Sequence, residues 1–168
     1  MRIQLAALLL LASVAQSQGR RTGDPTGELA WLVGGVWTAS GPQLGSHMQR
    51  IETRYTWSDN HTFIRFTTHF VTDSTEVHRY DGNLFWNGAQ QTLGIWYMNA
   101  EHEITEGPVT VTDTGWEMSF RAQDASGRDA PFRVEILKKS DDLYHWSLHE
   151  YVDGSWKELL ALDYARKM

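Results

Sequence analysis

The feature that most constrains this sequence is a regular series of short strand-like segments separated by tight-turn residues. No helix-length stretch with 3.6-residue periodicity interrupts the series. The predicted strands are Val36–Ser40, His47–Trp57, Thr62–Val71, Glu76–Trp86, Thr92–Met98, Glu103–Thr112, Trp116–Gln123, Pro131–Lys139, Leu143–Val152 and Ser155–Ala165. Because the connectors are short and lack crossover helices, each strand is expected to pair with the next along the chain.

Apolar and polar residues alternate along several strands, which predicts that one face of the sheet is buried and the other is exposed to solvent. Phe132, Val134 and Ile136 alternate with Arg133 and Glu135, which is typical of antiparallel strands with solvent on one side. Such a series would expose two unpaired edges if it stayed open, and closure removes them. The sequence therefore predicts an all-β fold, a single antiparallel up-and-down β-barrel of about ten strands. A β-sandwich is the alternative, although it usually needs longer connections.

The N-terminus predicts a secretory signal peptide. Arg2 precedes a short apolar run, and the small residues Ala15 and Ser17 mark a cleavage site. The apolar run is too short for a membrane span. The predicted organisation is a signal peptide (1–17), a disordered lead (18–27) and a barrel domain (28–168). The mature protein is therefore expected to be secreted or periplasmic.

Composition narrows the classes of partner and chemistry. The formal net charge is −6 and no basic stripe occurs, so nucleic acid is not an expected partner. No later segment is apolar enough to insert into a membrane after signal cleavage. The absence of cysteine excludes disulfides, cysteine nucleophiles and thiolate zinc sites. The sequence leaves open whether the protein is a monomer or a homodimer.

A Gly-x-Trp motif opens the first predicted strand. An apolar segment at Glu28–Val33, expected to form a helical turn, runs into Gly34 and then Gly35-Val36-Trp37. This arrangement before an antiparallel meander resembles the lipocalin-like (calycin) superfamily. In the number and spacing of its predicted strands, the sequence is closest to nitrobindin-like barrels and to bacterial exported domains of unknown function. The resemblance implies a closed barrel that holds a small apolar ligand, with Trp37 closing the floor beneath a basic residue.

The same resemblance implies no cofactor for this chain. Nitrobindin-like proteins bind haem through a histidine close to the C-terminus, whereas the last histidine here is His149. Fatty-acid-binding proteins carry a helix pair after the first strand, and the segment Gly41–Ser46 is too short for one. The C-terminal strand is expected to pair with the first strand and to be covered on its outer face by the Glu28–Val33 turn.

The aromatic content favours either dense core packing or a ligand cavity. The chain has eight Trp, six Tyr and six Phe residues, which suit both strands and the lining of an apolar pocket. The candidate ligand-binding residues are Trp37, Arg54, Phe66, Trp86, Trp96, Trp116, Phe120 and Trp146.

Arg54 belongs to a charged row whose direction the sequence does not fix. Arg50, Glu52 and Arg54 share one face of their strand. They predict either a solvated face with cross-strand ion pairs or an interior row that binds a carboxylate.

The titratable residues give no defined catalytic or metal site. His145 and His149 share a face but lie about 13 Å apart along their strand, too far to bind one metal ion, and no metal is predicted. The cluster of His102, Glu103 and Glu106 could supply a general base at a barrel end or be ordinary turn chemistry. The catalytic residues, if any, stay unknown.

Three functional hypotheses follow. The first is an exported barrel that binds a small, mostly apolar molecule in its interior. The second is an enzyme, an isomerase or a hydrolase, that acts on an apolar substrate in the same cavity. The third is a ligand-free envelope interaction module. The sequence leaves enzymatic activity undecided, because no motif of a known catalytic class is present.

Overall fold

The computed structural model of this protein describes residues 23–45, 47–123 and 126–167. The predicted signal peptide and the first part of the predicted lead, residues 18–22, lie outside the described residues.

The fold is a closed barrel of ten antiparallel strands. Each strand pairs with its neighbour in the sequence, and the last strand pairs with the first. The strands are β1 (Val36–Ser40), β2 (Met48–Trp57), β3 (Phe63–Thr72), β4 (Glu76–Asn87), β5 (Thr92–Asn99), β6 (Ile104–Thr112), β7 (Gly115–Gln123), β8 (Asp129–Ser140), β9 (Leu143–Val152) and β10 (Ser155–Lys167). The predicted all-β class, the barrel and the strand count are confirmed. Among the described residues, no helix is long and apolar enough to cross a membrane.

The core lies inside the barrel, and the alternation of the strands builds it. Trp116 of β7 lies opposite Ile136 of β8, and both side chains are almost fully buried. Arg133 and Glu135, which alternate with the inward residues of β8, form an ion pair of 2.8 Å on the outer wall. The period of two along each strand therefore separates an apolar interior from a charged exterior.

A short 3₁₀-helix precedes the first strand. It spans Pro25–Leu32, and the Asp24 carboxylate caps it by accepting a 2.8 Å hydrogen bond from the Thr26 amide. The helix begins earlier than the predicted turn at Glu28, because Pro25 and the Asp24 cap favour helix initiation there. The residues Pro25–Gly27 of the predicted lead therefore belong to this helix.

The helix closes one end of the barrel, which we call the floor. Leu29 and Leu32 are fully buried in the same core cluster as Trp37. The expectation that this segment covers the outer face of the last strand is therefore wrong. Its apolar side chains find more burial at the barrel end than on an outer wall, where they would cover only one strand.

Trp37 is the centre of the floor. Its side chain is fully buried, and its indole N–H donates a 2.7 Å hydrogen bond to the Leu32 carbonyl. The guanidinium carbon of Arg166 lies 4.4 Å from the centroid of the Trp37 ring, and this guanidinium also donates to the Trp31 carbonyl. Trp37 therefore joins the helix to β1, and Arg166 joins both to β10.

A glycine allows the chain to enter β1 at this crowded place. Gly35 has a φ of +67°, and a Cβ atom there would lie 2.7 Å from the Lys167 carbonyl oxygen. Only glycine combines this left-handed conformation with so close a backbone contact.

The other end of the barrel is the mouth. The antiparallel meander brings alternate connections to the same end, so the turns at 73–75, 100–103 and 153–154 lie at the mouth, opposite the helix.

The floor contacts predict a specific loss of stability in Trp37→Phe. This change removes the indole N–H, leaves the buried Leu32 carbonyl unpaired and opens a small void. We expect the free energy of unfolding to fall by about 2–4 kcal/mol, as measured by urea denaturation. The matched control is Trp96→Phe, because Trp96 lies on the outer wall with 36% of its surface exposed. We expect the control to change stability by less than about 0.5 kcal/mol. Equal losses in the two variants would contradict the role of Trp37.

Candidate functional site: the interior cavity

A cavity of about 300 Å³ lies above the floor, inside the barrel. Ten of its 21 lining residues are aromatic, and the others are aliphatic apart from Met118, Thr53 and Thr68. The aromatic lining residues are Tyr55, Phe66, Phe70, Tyr80, Tyr97, Trp116, Phe120, Tyr144, Trp146 and Tyr164. Every strand except β1 and β6 contributes to the lining, so the cavity is a product of the whole closed sheet.

Exposure to solvent changes from the floor to the mouth. Leu84, Ile136 and Tyr144, which lie nearest the floor, are at most 2% exposed. Phe70 and Phe120, which lie towards the mouth, are partly exposed. The cavity is therefore sealed at the floor and accessible from the mouth.

Four of the candidate ligand-binding residues line this cavity together: Phe66, Trp116, Phe120 and Trp146. Phe66 can enter the interior because Gly82 lies opposite it on β4. A Cβ atom at Gly82 would lie 2.4 Å from the Phe66 ring, so the ring occupies the space that any other residue at position 82 would fill.

Two further candidates face inward but do not line the cavity. Trp37 lies within the floor and packs against Tyr144, with their ring centroids 4.7 Å apart. Trp86 continues the inward face of β4 beyond Leu84 and packs against the core cluster near the floor. The structure gives both residues a packing role below the cavity.

Arg54 and Trp96 lie on the outer wall, where a shallow groove contains both. Their assignment to the ligand site needs correction, because Tyr55 of β2 and Tyr97 of β5 occupy the inward positions beside them. Glu52 accepts from Arg50 at 2.7 Å and lies 3.5 Å from Arg54. The row of Arg50, Glu52 and Arg54 therefore faces solvent and does not form an interior carboxylate site. Its ion pairs join residues of one strand, whereas the prediction had them between neighbouring strands.

The cavity also contains a cluster of hydroxyl groups that the sequence analysis did not identify. The Thr53 and Thr68 hydroxyls are 3.0 Å apart, and Thr53 also interacts with the hydroxyl of Tyr164. The phenol groups of Tyr55 and Tyr144 lie close enough for each to affect the pKa of the other. The available signal was the alternation in β2, which places Thr53 and Tyr55 on the face opposite the charged row.

Burial keeps these tyrosines protonated over a wide pH range. Desolvation of the phenolate raises the pKa of Tyr55 to about 12. The same cause raises the pKa of Tyr144 and that of Tyr164 well above the usual value. The phenols are therefore neutral hydrogen-bonding groups at neutral pH and cannot act as bases there.

The described part of the lining contains no carboxylate, imidazole, ammonium or guanidinium group. The cavity can therefore offer hydrogen bonds to a bound molecule, but the lining supplies no side chain that would accept a proton near neutral pH.

The remaining titratable candidates lie away from the cavity. The His145 Nδ1 atom is 2.8 Å from the Asp163 carboxylate. Glu103 accepts from the Asn99 side chain at 2.7 Å within the β5–β6 turn at the mouth. Over residues 23–45, 47–123 and 126–167, no three His, Asp or Glu side chains gather where they could hold a metal ion.

The sequence matches no protein-family model and no curated protein.

The tyrosine cluster predicts that stability falls at alkaline pH. The native state holds the Tyr55 proton more tightly than the unfolded chain, whose tyrosines have a pKa of about 10. Stabilisation is therefore complete below about pH 10 and is lost as the pH rises towards about 12. We expect Tyr55 alone to account for roughly 2–3 kcal/mol of this loss. Urea unfolding of the wild type and of Tyr55→Phe across this range measures it. A wild-type stability that stays constant above pH 10, or an equal loss in Tyr55→Phe, would contradict the assignment.

Proposed function

We propose that this protein binds a small, mostly apolar molecule inside its barrel. The observation that carries the proposal is the cavity of about 300 Å³, which has a sealed floor and an aromatic lining. This volume is at the lower end of the range of about 300–1,000 Å³ for small-molecule sites. A compact ligand is therefore favoured over a long chain.

The lining supplies a driving force for such a ligand. Transfer of apolar surface from water stabilises a complex by about 25 cal/mol per Å², before the costs of association are subtracted. Aromatic walls add shape-specific contacts with planar molecules. The side chains around the cavity are anchored in the rigid sheet, so little conformational entropy is lost when a ligand binds.

The barrel supports a calycin-type assignment as part of this proposal. A Gly-x-Trp opens β1, and Trp37 lies on the floor under the guanidinium group of Arg166. This arrangement agrees with the lipocalin-like resemblance of the sequence, in which the tryptophan lies beneath a basic residue. The ten-strand count agrees with the nitrobindin-like branch.

Export is also part of the proposal. The signal-like sequence of residues 1–17 supports a secreted or periplasmic protein. A binding protein outside the cytoplasm would meet its ligand in solution or at the envelope.

Binding is favoured over catalysis by the chemistry of the lining. An isomerase or hydrolase needs a group that accepts or donates a proton near the working pH. The ionisable groups of the described lining are phenols, and burial raises the pKa of those nearest the floor.

A neutral fluorescent probe tests the proposed function directly. N-phenyl-1-naphthylamine should bind to the wild type with enhanced emission. Leu160→Trp places a larger side chain in the lining near the mouth and should weaken binding at least tenfold. The matched control is Leu159→Trp, because Leu159 is 52% exposed, and it should bind like the wild type. Circular dichroism checks that both variants fold. Absence of binding to the wild type, or equal binding to both variants, would contradict an interior site.

A further inference from the structure

A shallow groove of about 360 Å³ lies on the outer wall of the barrel, across strands β2 to β5. It contains Arg54 and Trp96, the two candidate ligand-binding residues that point away from the interior. Most of its other lining residues are polar, among them Arg65, Asp81 and Asn83. The groove therefore has a different chemistry from the apolar cavity on the inner side of the wall.

The register of the strands places three groove residues in one row. Arg65 of β3 lies directly opposite Asn83 of β4, and Asn83 lies directly opposite Trp96 of β5. Since neighbouring strands are about 4.8 Å apart, the backbones of Arg65 and Trp96 are separated by about 10 Å. A guanidinium, an amide and an indole therefore follow one another across the outer wall.

The Trp96 indole supplies the apolar part of the groove. Its side chain is 36% exposed, and apolar surface left in water costs free energy. The face of an aromatic ring carries partial negative charge, which attracts the C–H groups on one face of a sugar ring. The indole is therefore suited to stack against a pyranose.

Two guanidinium groups give the groove positive charge. Arg54 and Arg65 are diagonal neighbours on β2 and β3, close enough for long side chains to interact. Within the described part of the chain, Arg65 has a contact with the Phe63 ring and no ion pair. Glu52 lies 3.5 Å from Arg54 but accepts from Arg50 at 2.7 Å. Because like charges repel, an anion bound between Arg54 and Arg65 would stabilise both.

The carboxylate that lines the groove faces a different partner. Asp81 Oδ2 lies 3.2 Å from His78 Nε2, on the mouth side of the row that Asn83 occupies. The lining therefore holds two guanidinium groups and one carboxylate, whereas the whole chain has a formal net charge of −6. This local excess of positive charge favours an anionic partner.

We propose that the groove binds uronic acid residues of an acidic polysaccharide. The pyranose ring stacks on the Trp96 indole, and its carboxylate binds between Arg54 and Arg65 through charge-assisted hydrogen bonds. The Asn83 amide, which both donates and accepts hydrogen bonds, binds the sugar hydroxyls between them. Glu106 lies opposite Trp96 on the side away from Arg65, so its repulsion directs the carboxylate of the sugar towards the guanidinium groups.

Other anions use fewer of these groups. An inorganic anion would bind the two guanidinium groups and leave the indole uncovered. A compact aromatic acid has no hydroxyls for Asn83, and ligands of that kind bind in deeper and more apolar pockets. The groove inference does not depend on the proposed interior ligand, because the two sites share neither chemistry nor side of the wall.

Calorimetric titration with short oligosaccharides tests the inference. The acidic probes are trigalacturonate and trimannuronate, and the neutral counterparts are galactotriose and mannotriose, which lack the carboxylates. At pH 7 and low ionic strength, we expect at least one acidic probe to bind at least tenfold tighter than its neutral counterpart. Failure of both acidic probes to bind, or equal affinity for an acidic probe and its counterpart, would overturn the inference.

Three variants locate the binding. Arg65→Gln removes a guanidinium and should weaken the acidic probe at least tenfold. Trp96→Ala removes the stacking surface and should weaken it at least fivefold. The matched control is Arg121→Gln, which removes an exposed arginine of the outer wall outside the groove and should bind like the wild type. Circular dichroism checks that all three fold. Equal losses in Arg65→Gln and Arg121→Gln, or full affinity in Trp96→Ala, would overturn the inference.

Competition with N-phenyl-1-naphthylamine separates the groove from the cavity. The acidic probe should bind without displacing the naphthylamine, because the two sites lie on opposite sides of the wall. Displacement would place the sugar in the cavity and overturn the groove inference. If the naphthylamine itself does not bind, the proposed function fails, and the oligosaccharide titrations still decide the groove inference.

Discussion

The structure depends on the seal that Trp37 makes at the floor of the barrel. Its indole donates to the Leu32 carbonyl, and the Arg166 guanidinium lies over its ring. These contacts hold the N-terminal helix, the first strand and the last strand together at the place where the sheet closes. Without this seal, the barrel end would expose Leu29 and Leu32, and the cavity above it would open to water from both sides.

Most of the fold could be predicted from the sequence because strand alternation and turn residues are local signals. Every predicted strand is present, and the ends of most of them differ from the prediction by one or two residues. The closure of the barrel was also predictable, because an open sheet would leave one edge of its first strand and one edge of its last strand unpaired. The helix start was less accurate, because the Asp24 cap and Pro25 lie within the segment predicted as a disordered lead, residues 18–27.

The site was only partly predictable, since the direction of a side chain depends on register and on neighbouring strands. Phe66, Trp116, Phe120 and Trp146 line the cavity, whereas Trp96 points to the outer wall. The burial of Tyr144 and Tyr164 against each other, with ring centroids 4.8 Å apart, requires the β9–β10 pairing. No local pattern reveals that two such residues meet.

The central claim is that the barrel encloses an apolar cavity and not a packed core. Diffraction from crystals of the protein pressurised with xenon tests this most directly, because xenon enters dry apolar cavities regardless of the natural ligand. The account predicts xenon density inside the barrel, among Phe66, Trp116 and Trp146. An interior filled by side chains, with xenon only on the outer surface, would contradict it.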